Sequence, residues 1–242
     1  MLPVPFLHND QVEERMEGQL KSSGLWPDDP EEFLDIEKFL TNHLKAGIDL
    51  DSSLPSDVLG EVIFRPGKKT CVIINQDLTW DAENSGQTWK RGRWRMTVAH
   101  ESAHIILHGP LFLLNAGQGS LWEDVEPRVH RCYKRDSLHL DVQQNELSSS
   151  GLFNSTKQTD RMEIQANVGA SALLMPRSVF HTAACSYLES LERRNVSLSG
   201  SQKCEIIVGQ LAGKFQVSQQ AARIRCKTLG IFSHVGQFTN YV

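Results

Sequence analysis

An α+β fold, mostly helical, is predicted for this chain by three observations. Apolar residues recur at three- and four-residue spacing over most of its length, which is the period of a helix with one buried face. Two short runs rich in β-branched residues, at 58–64 and 70–75, flank Pro66-Gly67 and form the strand signal, a hairpin. Composition is that of a globular chain: 242 residues, 40% hydrophobic and 22% charged, enough for one sizeable core. A net charge of −4 supplies no global attraction to nucleic acid. No apolar run spans a bilayer, and the start, Met1-Leu-Pro-Val-Pro-Phe-Leu, lacks the basic and apolar regions of a secretory signal. The five cysteines are odd in number and scattered without a CxxC pair, so reduced thiols and a cytoplasmic location are expected.

Asn9 or Asp10 can cap a first helix carrying Val12, Met16 and Leu20, ended near Gly24. Asp29-Pro30-Glu31-Glu32 has the form of a helix start, followed by a stripe of Phe33, Ile36, Leu40 and Leu44 that closes at Gly47. After the hairpin, 77–88 is polar and expected to loop. A helix follows over 89–108, with Gly109-Pro110 as its stop. Periodicity fades over 115–159, a long excursion expected on the surface. Asp160 can cap a helix running to Met175, and three more are expected at 177–194, 202–215 and 218–229. The chain is thus expected to be a single domain over 1–242. It divides into N-terminal helices in 1–50, a β-hairpin region in 56–80, active-site helices in 88–176 and helix-turn-helix-like helices in 200–230.

The chemistry is concentrated in His100-Glu101-Ser102-Ala103-His104. Four residues is just over one helical turn, so both imidazoles project from one face and can grip one metal ion, with Glu101 placed to take a proton from a water. In a chain with 9 histidines, about 0.02 accidental matches to this pattern are expected. A tetrahedral site needs a third protein ligand. Glu163 is the candidate, on a helix whose small residues Ala166, Gly169, Ala170 and Ala172 allow another helix close by. The competing reading pairs Glu163 with Asp160 in a capping box, and spacing alone does not choose between them.

The chain resembles the ImmA/IrrE family of metallopeptidases. The resemblance rests on the HExxH helix Arg93 to His108 and on Glu163-Ile-Gln-Ala-Asn167 running into Leu173-Leu-Met-Pro176. It extends to the opening Val4-Pro5-Phe6 and to Leu211-Ala-Gly-Lys-Phe-Gln-Val-Ser218 leading to Arg225. It implies a zincin-like helical core with the small sheet packed on it, His100, His104 and Glu163 as zinc ligands, and Glu101 as general base. It also implies a protein substrate, in this family typically a helix-turn-helix repressor whose cleavage releases genes of mobile elements or stress responses. Manganese or iron could use the same ligands. The 58 residues between His104 and Glu163 exceed the family's usual spacing because of the 115–159 excursion.

Around the motif, Asn167, His108 and Tyr133 are candidates to support a ligand ring or to bind the oxyanion, with Tyr187 and the arginines near Arg223 as further donors. His108 lies on the His100–His104 face but a full turn beyond, too far along the axis to be a ligand. His130, Cys132 and His139 could form a separate metal site, or Cys132 could reach the first one, though an ordinary surface loop is the default. Residues 202–229, with Lys214, Arg223, Arg225 and Lys227, have the form of a helix-turn-helix and could touch DNA. Packing on the core is favoured, because the chain is acidic overall and this region has few base-reading side chains. A DNA-binding regulator or a toxin–antitoxin partner with a vestigial metal site is therefore the alternative function.

Overall fold

The computed structural model describes residues 4–28, 32–50, 52–65, 67–114, 128–133, 155–193 and 198–232. Helix α1 (Asn9–Ser22) buries Val12, Met16 and Leu20 as expected, but its cap is His8. That ring accepts from Asp10 N while Gln11 Oε1 accepts from His8 N, a reciprocal pair that satisfies two otherwise orphaned donors. The second helix starts later than its proline-led signal suggests. Asp35 accepts from Lys38 N at 2.9 Å and opens α2 (Ile36–Lys38), which widens at once into a π-helical turn, Phe39–His43. Starting at Asp35 buries Leu34 and puts Phe33 at the surface against the Arg95 guanidinium, so the expected stripe is kept only from Ile36 onward.

The hairpin forms as predicted. Strand β2 (Val58–Phe64) pairs antiparallel with β3 (Cys71–Ile74), with Val62 opposite Val72. Two further strands complete a sheet of order β1-β3-β2-β4. Gly47, expected to end a helix, begins β1 (Gly47–Asp49), which runs parallel to β3. Strand β4 (Arg128–Tyr133) pairs antiparallel with β2, with Cys132 opposite Gly60. The excursion therefore returns to the sheet in its middle, and β2 is a central strand buried at every position. The remainder of 115–154 lies outside the described residues.

Residues 77–84, expected to loop, are helical in α3 (Gln76–Asn84). Asn75, read as the end of a strand, is its cap and accepts from Asp77 N at 2.9 Å. Helix α4 (Thr88–Leu114) carries the HExxH motif and continues through Gly109-Pro110. Proline removes one helical donor, but the extra turn buries Phe112 in a stack on Phe64 of β2, ring centroids 4.8 Å apart. Helix α5 (Ser155–Leu174) lies along α4. At their crossing a Cβ on Gly169 would stand 2.8 Å from Ala103 Cβ, so the glycine is what lets the helices approach this closely.

Helices α6 (Arg177–Arg193), α7 (Gly200–Phe215) and α8 (Gln219–Thr228) fall where expected, with Ser199 and Ser218 as caps of the last two. Arg225 of α8 is only 2% exposed. It donates to both Glu13 carboxylate oxygens and to the Met175 carbonyl, tying α8 to α1 and to the end of α5. Cys71, Cys185, Cys204 and Cys226 are free thiols. Among the described residues no helix is long and apolar enough to cross a membrane.

Candidate metal centre

Helix α4 presents His100 and His104 one turn apart toward α5, whose small-residue face admits them. Their Nε2 atoms lie 3.0 Å apart. Glu163 of α5 completes the group, with Oε2 at 3.1 Å from His100 Nε2 and Oε1 at 3.5 Å from His104 Nε2. Four ligands at about 2.0–2.1 Å around a tetrahedral ion stand about 3.3 Å from one another, so the three separations fit a single small cation. Among the described residues, His100, His104 and Glu163 form the cluster able to hold a metal ion. Both histidines are buried, and the Glu163 side chain is 13% exposed. The capping-box reading of Glu163 is set aside by position: Asp160 lies inside α5, five residues past its start.

Electrostatics separate the two carboxylates. Burial works to raise the Glu163 pKa, but in the metal-free protein the imidazoles of His100 and His104, when they carry the proton on Nε2, outweigh it and hold the group well below the usual carboxylate range. Glu101 goes the other way. It is fully buried, its oxygens have no hydrogen-bond partner among the described residues, and burial pushes its pKa up to about 8. The charge of His100 lowers it in part, while Glu163 and Glu61 add to the rise. An unpartnered buried carboxylate is costly unless a cation or a proton compensates it. Glu101 faces β2, where a Cβ on Gly60 would come within 3.3 Å of Oε1. The sequence reading missed Gly60, since a glycine in a strand carries no sign of what stands against it.

The structure brings Asn167 and His108 to the site as well. Asn167 Oδ1 lies 2.9 Å from His100 Nδ1, and His108 Nδ1 lies 2.9 Å from His104 Nδ1. His108 is thus against a candidate ligand and not in the ligand cluster. Gln165, missed at the sequence level, contacts His108 Nε2 at 3.0 Å. Tyr133, His130 and Cys132 belong to β4 by backbone, while their side chains, like His139, lie outside the described residues. Tyr187 instead lines a cavity of about 360 Å³ with Trp26 and Lys214, one to which no site residue contributes. Arg223 pairs with Glu205.

Two imidazoles one turn apart, a carboxylate from a crossing helix and a buried glutamate next to the first histidine are the donor set of an HExxH metallopeptidase centre. The family model described as the IrrE N-terminal-like domain of peptidase M78 matches residues 141–227. The match supports membership of the ImmA/IrrE family and a metallopeptidase-type function. It includes Glu163 and Asn167 and begins after the His100–His104 helix. No curated protein matches the chain.

Proposed function

We propose that this chain is a zinc-dependent endopeptidase of the cytoplasm that hydrolyses a peptide bond in a protein substrate, a helix-turn-helix transcriptional repressor, and so acts in transcription regulation. The observation that carries the reading is the buried His100–His104–Glu163 cluster with the unpartnered Glu101 carboxyl beside it. His100, His104 and Glu163 would hold the metal, which when bound supplies a Lewis acid able to acidify water and polarise a carbonyl. Positive charge at the cluster would also pull the Glu101 pKa back down, leaving the carboxylate ionised to accept a proton from the attacking water. Glu101 would then return that proton to the departing amine. The Asn167 carbonyl oxygen holds the His100 ring in place through Nδ1. Burial of Arg225 weighs against the DNA-binding alternative, because that guanidinium is committed to Glu13 and the Met175 carbonyl.

Metal stoichiometry tests the reading, on protein purified without a chelating tag. Wild type should carry about one zinc per chain, and Glu163→Ala should lose most of it. Glu101→Gln should keep the metal and lose cleavage of a repressor substrate. A wild-type chain that refuses added zinc would overturn the peptidase assignment.

A further inference from the structure

A line of buried polar groups runs from the N-terminal segment to one of the candidate ligands. Gln165 Nε2 lies 2.9 Å from the Pro5 carbonyl oxygen. Gln165 Oε1 is 3.0 Å from His108 Nε2, and His108 Nδ1 is 2.9 Å from His104 Nδ1. Gln165, His108 and His104 are all buried, so water does not compete between them, while Pro5 at the head of the line is exposed.

The proton positions follow from its first member. A carbonyl oxygen only accepts, so Gln165 must turn its NH₂ toward Pro5 and offer Oε1 to His108. His108 then donates from Nε2, and its neutral ring leaves Nδ1 as an acceptor. His104 must in turn donate from Nδ1, which leaves a lone pair on Nε2, the atom nearest His100 and Glu163. Asn167 Oδ1, accepting from His100 Nδ1, leaves the other imidazole in the same tautomer.

We propose that Gln165 and His108 are positioning residues: anchored on the Pro5 carbonyl, they hold His104 as its Nδ1-protonated tautomer with Nε2 aimed at the metal. This rests on the metal-site reading above. It gives His108 a role one helical turn past the motif, and it links the N-terminal segment to metal affinity.

The test is zinc affinity, measured by competition with a chromophoric chelator, for wild type, His108→Phe, Gln165→Leu and Gln165→Glu. His108→Phe and Gln165→Leu should weaken zinc about 10- to 100-fold. Gln165→Glu keeps an acceptor facing His108 but loses the donor to the Pro5 carbonyl, so it should weaken zinc less than Gln165→Leu does. A packing role alone predicts the reverse order, since leucine suits a buried site and a carboxylate does not. Long-range ¹H–¹⁵N spectra of the zinc-loaded wild type provide a readout free of any variant: His108 should be protonated at Nε2 and bare at Nδ1. The opposite tautomer, or unchanged affinity in both His108→Phe and Gln165→Leu, overturns the proposal. Glu163→Ala separates the two levels. If it abolishes zinc binding while those two variants do not weaken it, the relay fails alone; if wild type takes up no zinc, the metal site fails and the relay with it.

Discussion

Gly169→Ala should uncouple the metal site from the rest of the fold. The added methyl would sit 2.8 Å from Ala103 Cβ and 3.4 Å from Met16 Sδ. Carbon atoms in contact prefer about 3.5–4.0 Å, so α5 must retreat from α4 by about 1 Å. Ala103 lies between His100 and His104, and Gly169 follows Glu163 on the opposing helix. The retreat therefore stretches the 3.1 and 3.5 Å separations that span the two helices. Overpacking of this kind costs about 1–3 kcal/mol. In the metal-free protein, alanine's higher helix propensity offsets about 1 kcal/mol of that. Zinc binding must close the gap again, so the strain falls on the binding step and affinity should drop about 5- to 150-fold. Isothermal titration with zinc, paired with thermal unfolding of the metal-free protein, measures both effects. The double variant Ala103→Gly/Gly169→Ala removes the opposing methyl and should recover most of the affinity, a coupling that a double-mutant cycle isolates. Wild-type zinc affinity in Gly169→Ala, or no recovery in the double variant, would refute the argument that this crossing sets the ligand geometry.

Burial works to raise the Glu13 pKa, but hydrogen bonds and charge from Arg225 and then Arg177 outweigh it and hold the group below its ordinary value of 4.5. The stability it contributes is therefore present above pH 4.5 and lost as pH falls through the lowered value. Glu13→Gln should flatten that acid loss and, by stranding Arg225, cost about 3–5 kcal/mol at pH 7 in urea unfolding; an unchanged acid slope would count against it. Gly60→Ala places a methyl 3.0 Å from Thr97 Cγ2 and 3.3 Å from Glu101 Oε1. It should slow hydrolysis by about tenfold or more through a displaced base while zinc stoichiometry holds, and parallel loss of both would point to a general collapse of the site instead.

How much was legible follows the range of the interactions involved. HExxH is a contact within one turn of one helix, so its spacing alone placed His100 and His104 on a common face. The late helices were equally plain from their helical period, although their caps, Ser199 and Ser218, came only from the structure. Local signals misled where distant packing had the larger stake. Asp29-Pro30-Glu31 reads as a helix start, yet helix begins after Asp35, where Leu34 and Ile36 reach the core. Gly109-Pro110 reads as a stop, yet α4 passes through it because Phe112 finds Phe64 on the sheet. Asn75 hid α3 because it follows β3 without a break and is itself the helix cap, and β4 was invisible because its partner strand lies far back in the chain.

The sequence by itself determined the donor types, the helical period that pairs two of them, the small-residue face of α5 and the mostly helical α+β class. Tertiary structure alone decided that Glu163, and not a cap, meets the histidines, and that His108 turns its ring to His104. It also decided that Arg225 faces Glu13 in the core instead of solvent. Periodicity and capping depend on neighbours within a turn, whereas these outcomes depend on how closely two distant helices can approach, which at Gly169 and Ala103 is settled by the space one methyl group would fill.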